Sequence, residues 1–146
     1  MALHRLVAAC PPLDPNSSYC NLLQCSHFGA TSIAAIRNGE LCGSVTAYRV
    51  PDHPETLFVW QVAVHPQARG QGLARTMLRE LLAQLSGVRF IETSITPDNE
   101  ASWRLFTGFA AELHAETVRS VMFEKTQHFQ GAHETEYLLR IGPLAA

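Results

Sequence analysis

The chain has 146 residues, of which 47% are apolar and 16% charged, and its formal net charge is −2. This length suits one hydrophobic core, and the apolar fraction argues against disorder. The 11 Lys and Arg residues are scattered, whereas a nucleic-acid-binding protein gains affinity by neutralising phosphates with clustered positive charge. No apolar run approaches the ~20 residues that cross a membrane. We predict a single domain over residues 1–146 that binds neither nucleic acid nor membrane.

The four cysteines lie in the first third of the chain and form no CxxC pair of the zinc-ribbon kind. The apolar run over 6–10 is shorter than the apolar region of an export signal. We therefore expect reduced thiols and a cytoplasmic protein.

The first half of the sequence predicts two helices, a hairpin and a central strand. Asp14 or Ser17 is the candidate cap of the second helix, and Asn38-Gly39 between β-branched runs is a strong hairpin signal. A strand in the middle of a sheet is apolar on both faces. In chain order the predicted elements are helices over 3–9 and 19–25, strands over 31–37 and 41–48, a loop over 50–55 and a strand over 57–64.

The second half predicts helices alternating with strands. Apolar residues recur at helical spacing after the loop 65–69, and Asp98 or Asn99 is the candidate cap of the last helix. The predicted elements are a helix over 70–85, a strand over 88–95, a helix over 100–111, and strands over 118–125 and 136–141. This order predicts an α/β fold whose mixed, mostly antiparallel sheet has helices on its faces.

The loop between the central strand and the next helix contains Gly70 and Gly72. Unpaired N–H groups at a helix start receive phosphate oxygens. Glycine lets a phosphate approach the backbone, and Arg69 or Arg75 can add positive charge. The loop lacks the Lys-Ser/Thr of a P-loop and the third small residue of a dinucleotide-binding loop. A glycine turn before an amphipathic helix is the alternative, but the preceding strand and the basic residues favour an anion site.

The pattern Gln67-x-x-Gly70-x-Gly72 resembles the pyrophosphate-binding motif of the GCN5-related N-acetyltransferase (GNAT) superfamily. The resemblance implies the GNAT fold and acetyl-CoA as the acetyl donor, with strand amides facing the thioester and an Asn on the coenzyme arm. The implied cofactor-binding residues are Val62, Ala63, Val64, Gln67, Arg69, Gly70, Gln71, Gly72, Leu73, Ala74 and Asn99.

The sequence departs from the GNAT pattern in two places. Many members carry a Tyr that protonates the departing thiolate, but Phe106 occupies the corresponding position here, so we assign no general acid. The GNAT fold usually begins with a strand before the first helix. This sequence begins at that helix, so the resemblance implies that the first strand is missing.

Five further blocks resemble one GNAT subfamily, the diaminobutyrate acetyltransferases of ectoine biosynthesis. The resemblance implies direct acetylation of the 4-amino group of L-2,4-diaminobutyrate in a ternary complex, a homodimer, and a cytoplasmic route to an osmoprotectant. The blocks are Leu13-Asp14-x-Asn16-Ser17-x-Tyr19, the strand over 57–64, Thr93-x-Ile95-Thr96-Pro97-Asp98-Asn99-x-Ala101-Ser102-Trp103, His128-Phe129-x-Gly131-x-His133-x-Thr135-Glu136, and residues 139–144.

The candidate acceptor site contains the groups that a diamino acid requires. Two ammonium groups and a carboxylate need carboxylates and polar donors. Asp14 binds an ammonium or caps a helix, Tyr19 contacts substrate or is buried, and Trp60 covers substrate or belongs to the core. His133 and Glu136 are the predicted catalytic residues: Glu136 binds the reacting ammonium, and either residue removes a proton directly or through water. We predict no metal, because the histidine spacing fits no standard helical pair.

Two alternative functions remain open on the sequence alone. The first is an acetyltransferase for another small diamine or a polyamine. The second is a noncatalytic acyl-CoA-binding module, for which Phe106 is the one favourable feature.

Overall fold

A computed structural model describes residues 1–145; Ala146, the last residue of the predicted domain, lies outside the description. The strands form one sheet in the order β1-β2-β3-β4-β6-β5, which confirms the predicted α/β fold. No helix within residues 1–145 is long and apolar enough to cross a membrane. The elements are α1 (Ala2–Ala8), α2 (Ser18–His27), β1 (Ile33–Arg37), β2 (Glu40–Val50), β3 (His53–Val64), α3 (Leu73–Gln84), β4 (Phe90–Ile95), α4 (Glu100–Glu112), β5 (Thr117–Phe123) and β6 (Glu136–Ile141).

The residue contacts separate into two compact units. The first unit comprises Met1–Tyr48 and Val59–Ser86, and the second comprises Arg49–Phe58 and the chain from Gly87 onward. Strands β2 and β3 each contribute residues to both units.

In the first unit, helix α1 is amphipathic. Leu6 and Val7 follow Leu3 by three and four residues, so the three side chains share one helix face, and they pack in a cluster with Cys10 and Ala63 of β3. The cap of α2 is Ser17, whose Oγ accepts a hydrogen bond from the Cys20 N–H at 3.1 Å. Asp14 does not cap this helix.

The predicted hairpin is confirmed, because Asn38 (φ 53°) and Gly39 (φ 78°) connect β1 to β2 in the left-handed conformations of a tight turn. The predicted loop over 50–55 is wrong. In the second unit, only Pro51 and Asp52 separate β2 from β3. Asp52 makes this short turn with a φ of 68°, a conformation that Asp tolerates. Arg49 Nη1 donates a hydrogen bond to the Pro54 carbonyl oxygen at 2.8 Å and holds this turn closed.

The second unit contains strands β4, β5 and β6 and helix α4, besides its parts of β2 and β3. Strand β6 pairs antiparallel with β4 and with β5. Of the two candidate caps, Asn99 caps α4, with its Oδ1 accepting from the Ser102 N–H at 3.2 Å. Phe106 and Phe109 lie buried on α4. Six of the seven β5 residues are exposed, so this strand is the least covered of the sheet.

Candidate functional site

In the first unit, the end of β3 is tied to the loop that follows it. The Val64 carbonyl oxygen accepts hydrogen bonds from Arg69 Nε at 3.1 Å and from the Cys10 thiol at 3.3 Å. His65 Nδ1 accepts from the Gln67 N–H at 3.2 Å. These contacts hold the loop against the end of the strand. Arg69 uses one of its five N–H donors in the bond to the Val64 carbonyl oxygen.

Gly70 and Gly72 adopt left-handed conformations, with φ of 78° and 71°. A Cβ at either position would meet no atom within 4 Å, so backbone conformation requires these glycines and the space beside them is open. Helix α3 begins without a side-chain cap. The N–H groups of Leu73 and Ala74 in its first turn are therefore available to an anion.

Arg37 contacts the glycine loop, although the sequence did not predict a role for it there. Its Nη2 donates a hydrogen bond to Gln71 Oε1 at 3.0 Å, which places a guanidinium beside the glycine loop. The two residues are 34 positions apart, and the only sequence signal was a charged residue before the Asn38-Gly39 turn. Arg37 increases the positive charge that the loop offers to a phosphate.

Gln61 holds the segment that carries Asp14, a role that the sequence reasoning also missed. Gln61 Nε2 donates to the Asp14 carbonyl oxygen at 3.1 Å, and its Oε1 accepts from Asn16 Nδ2 at 2.9 Å. The Gln61 N–H donates to Thr46 Oγ1 at 3.2 Å. The main chain of Asp14 is thus fixed to β3, while its carboxylate is exposed. A Gln within an otherwise apolar strand was the available signal.

Trp60 belongs to an aromatic cluster with Phe28 and Tyr48. Its ring centroid lies 6.2 Å from that of Phe28 and 5.8 Å from that of Tyr48, and 38% of the residue is exposed. Trp60 is therefore packed against two aromatic rings but remains partly accessible. Tyr19 is 71% exposed, so the expectation that it might be buried is wrong.

In the second unit, His133 and Glu136 are brought together at the start of β6. His133 Nδ1 lies 2.6 Å from the Glu134 carbonyl oxygen, which can only accept, so Nδ1 carries the proton and Nε2 of the neutral ring is an acceptor. Nε2 is 3.9 Å from Glu136 Oε1. Two acceptors at this separation can both receive hydrogen bonds from one ammonium group. The Glu136 side chain is 20% exposed.

The loop that precedes this pair is held by its own contacts. Lys125 Nζ lies 3.0 Å from Glu134 Oε1, and the Lys125 N–H donates to Thr135 Oγ1 at 3.1 Å. The Phe129 and His133 rings are 4.6 Å apart. His128 has a structural role, since its Nδ1 accepts from the Glu124 N–H at 2.8 Å.

Asn99 and Phe106 lie on the same helix of the second unit and differ in what they can offer. The cap uses Asn99 Oδ1, which leaves Nδ2 as a donor. Phe106 is 3% exposed, and a phenyl ring has no proton to give. Within residues 1–145, no group of three or more His, Cys, Asp or Glu residues could hold a metal ion.

Comparisons with known proteins identify the family. Residues 2–109 match the model of the Acetyltransferase (GNAT) family. The chain is 56% identical to L-2,4-diaminobutyric acid acetyltransferase of Methylotuvimicrobium alcaliphilum, over 99% of this chain and 85% of that protein. It is 50% identical to the Vibrio cholerae protein of the same name, over 97% of this chain and 83% of that protein. This chain belongs to the GNAT family, among its L-2,4-diaminobutyric acid acetyltransferases.

Similarity to a solved structure supports the same family assignment. The diaminobutyrate acetyltransferase of Paenibacillus lautus, in complex with L-2,4-diaminobutyric acid and coenzyme A, is 40% identical, with a TM-score of 0.92 over 99% of this chain and 89% of that one. The predicted GNAT fold is therefore confirmed. The candidate residues of this chain are divided between the two units. The glycine loop, Asp14 and the aromatic cluster lie in the first unit, and Asn99, His133 and Glu136 lie in the second.

Proposed function

We propose that this GNAT enzyme transfers the acetyl group of acetyl-CoA to the 4-amino group of L-2,4-diaminobutyrate, giving N4-acetyl-L-2,4-diaminobutyrate and coenzyme A. The observation that carries the proposal is the similarity over nearly the whole chain to the Paenibacillus lautus enzyme, whose solved complex contains that substrate and coenzyme A. The local chemistry of both units is consistent with these two ligands.

We assign acetyl-CoA binding to the glycine loop and the strand before it. The open space at Gly70 and Gly72 and the uncapped start of α3 support pyrophosphate binding there. Asn99 Nδ2 is assigned to the coenzyme arm. The remaining proposed cofactor contacts are Val62, Ala63, Val64, Gln67, Arg69, Gln71, Leu73 and Ala74.

We assign the amino acid to the carboxylates, imidazole and aromatic rings described above. His133 Nε2 and Glu136 Oε1 together bind the reacting ammonium and provide an acceptor for the proton that it loses. Asp14 binds the second ammonium, and Trp60 and Tyr19 cover the substrate. The proposed reaction uses no metal ion.

The proposed reaction is a direct attack on the thioester. An amine with a pKa near ~10 is almost wholly protonated at neutral pH, so proton removal precedes attack. The free amine then forms the C–N bond while an amide of Val62–Val64 stabilises the oxyanion, and the C–S bond breaks. Phe106 has no proton to give, so the sulfur of coenzyme A leaves as a thiolate, whose thiol has an ordinary pKa of ~8.5, or takes the second proton that the nitrogen loses as the amide forms.

The wider setting belongs to the same proposal. We place the enzyme in ectoine biosynthesis for osmoprotection, in the cytoplasm, acting as one domain and as a homodimer. The apolar exposure of β5 supports the dimer, since Val118 is 59% exposed, Val121 55% and Phe123 42%. Exposed apolar residues on an edge strand favour association.

The test is release of thiol from acetyl-CoA with L-2,4-diaminobutyrate, ornithine, lysine or putrescine, with mass analysis of each product. We expect selective formation of the N4-acetyl product from diaminobutyrate. Preferred turnover of putrescine, which lacks a carboxylate, would move the assignment to a polyamine acetyltransferase. Binding of acetyl-CoA without turnover of any amine would instead support a noncatalytic module.

A further inference from the structure

A cavity of about 530 Å³ lies in the first unit, and none of its lining residues is assigned to acetyl-CoA or diaminobutyrate. Residues of α1, α2, β1 and β2 line it, and most are apolar, including Leu3, Leu22, Ile33 and Val45. Small-molecule sites are mostly apolar clefts of about 300–1,000 Å³ with a few polar groups that fix orientation. The cavity therefore has the size and lining of a ligand site.

One polar side chain on the cavity wall is incompletely hydrogen-bonded. Gln24 is 1% exposed. Its Oε1 accepts from Asn21 Nδ2 at 2.9 Å, and Asn21 Oδ1 lies 2.9 Å from His4 Nδ1. Gln24 Nε2, by contrast, has no hydrogen-bond partner within residues 1–145. Buried polar groups in proteins are nearly always paired, so this donor indicates a missing acceptor.

The charge of the lining narrows the chemistry of that acceptor. No lining residue is Lys, Arg, His, Asp or Glu, so no charged side chain lines the cavity. Burial of an ionised ligand among apolar side chains is costly, whereas a carbonyl oxygen accepts a hydrogen bond without a net charge. We propose that this cavity is a second ligand site, which binds an uncharged, mainly apolar small molecule through a hydrogen bond from Gln24 Nε2 to its carbonyl oxygen.

Two probes of equal shape test the hydrogen bond. The first is 2-nonanone, and the second is 2-methyl-1-nonene, in which a methylene replaces the carbonyl oxygen. With the ¹⁵N-labelled chain, 2-nonanone is expected to bind saturably and to shift the Gln24 side-chain amide signal. The alkene is expected to bind about 2- to 12-fold more weakly, which corresponds to one net hydrogen bond, and to leave that signal in place.

Cys25 provides a second, independent readout. It lines the cavity and is exposed, whereas Cys10 is buried. Bound 2-nonanone is expected to slow alkylation of Cys25 by iodoacetamide, measured by peptide mass analysis, without slowing that of Cys20. Equal protection of the two cysteines would indicate nonspecific binding and would contradict the proposal.

Variants separate the donor from the cavity itself. Gln24→Met removes the donor at similar volume and is expected to abolish the preference for the ketone. Because this change also removes the acceptor of Asn21, Gln24→Glu is the second variant. It keeps an oxygen for Asn21, and at alkaline pH, where the carboxylate is ionised and has no proton to donate, it is also expected to lose the preference. Ala34→Phe adds a large side chain at a lining position and is expected to weaken both probes, whereas Ala83→Phe, exposed on α3, is the matched control.

Three outcomes would overturn the inference. The first is equal affinity for the ketone and the alkene in the unaltered chain. The second is an unmoved Gln24 amide signal at saturation, or no saturable binding of 2-nonanone. The third is much tighter binding of nonanoate than of the ketone, because the cavity would then select an anion rather than an uncharged molecule. None of these measurements depends on acetyl transfer.

Discussion

At the scale of single residues, some candidate site residues have partners far away in the sequence, and others have them nearby. Gln61 contacts Asp14 across 47 positions and Asn16 across 45. His133 and Glu136 are only three positions apart, so their proximity could be inferred directly. The Gln61 contacts could not, because neither periodicity nor local propensity encodes which loop will meet a strand.

Glu136→Gln removes the charge of the proposed ammonium-binding group and keeps its shape. We expect kcat/KM for diaminobutyrate to fall about 10²- to 10⁴-fold, the range for losing a general base, with acetyl-CoA affinity unchanged. Steady-state kinetics and equilibrium cofactor binding would measure both. Replacing the exposed Glu112 with Gln is the matched control, and full activity of Glu136→Gln would contradict the assignment.

Gln61→Leu removes both side-chain hydrogen bonds to the segment that carries Asp14. At about 0.5–1.5 kcal/mol for each net hydrogen bond, we expect KM for diaminobutyrate to rise about 5- to 150-fold. Because Gln61 acts through Asp14, kcat should change much less. Gln84→Leu on the exposed end of α3 is the control. An unchanged KM, beside a raised KM in Asp14→Asn, would rule out this positioning role.

At the scale of elements, local signals located most helices and strands, and errors arose where two signals compete. Asn38-Gly39 is a turn by its own chemistry and was predicted correctly. Pro51 and Asp52 were predicted within a longer loop because Pro and Asp disfavour strands. In the structure, pairing overrides that preference on either side of a two-residue turn. The caps Ser17 and Asn99 each had a competing neighbour, and only the hydrogen bonds distinguish them.

Gly72→Ala tests whether the loop conformation serves binding as well as folding. Ala at φ 71° is expected to cost about 1–2 kcal/mol of unfolding free energy and to weaken acetyl-CoA binding. Gly87→Ala is the matched control, since Gly87 has the same φ and an equally open surrounding but lies outside the loop. Denaturation and cofactor titration would separate the effects. Equal cofactor affinity in the two variants would mean that Gly72 has only a folding role.

Asn99→Asp keeps the capping oxygen of α4 and replaces the Nδ2 donor. We expect little change in thermal stability, because Asp caps helices as well as Asn does, but weaker acetyl-CoA binding. Asn99→Ala should lose both the cap, at about 1 kcal/mol, and the cofactor contact. If Asn99→Asp binds acetyl-CoA normally, the amide has no role in holding the coenzyme arm.

At the scale of the whole molecule, the exposed β5 strand is the surface through which we propose that two copies associate. Val118→Lys combined with Val121→Lys places charge on this edge, which opposes strand pairing between copies. We expect the proposed homodimer to become a monomer in sedimentation experiments, with the circular dichroism spectrum retained. Lys substitutions at Ala111 and Ala83, which are exposed on helices, are the control pair. A dimer that persists would place the interface elsewhere.

The position of Lys125, which forms a salt bridge with Glu134, has a practical consequence for handling the enzyme. Lys125 is the only lysine in the chain, and it lies in the loop that leads to His133 and Glu136. Amine-directed immobilisation, apart from attachment at the N-terminus, would therefore anchor the protein at the loop that we propose to bind the acceptor. Attachment through the exposed Cys25 would leave that loop untouched and would block the Gln24 cavity instead. The choice of coupling chemistry thus decides which of the two regions stays open on a solid support.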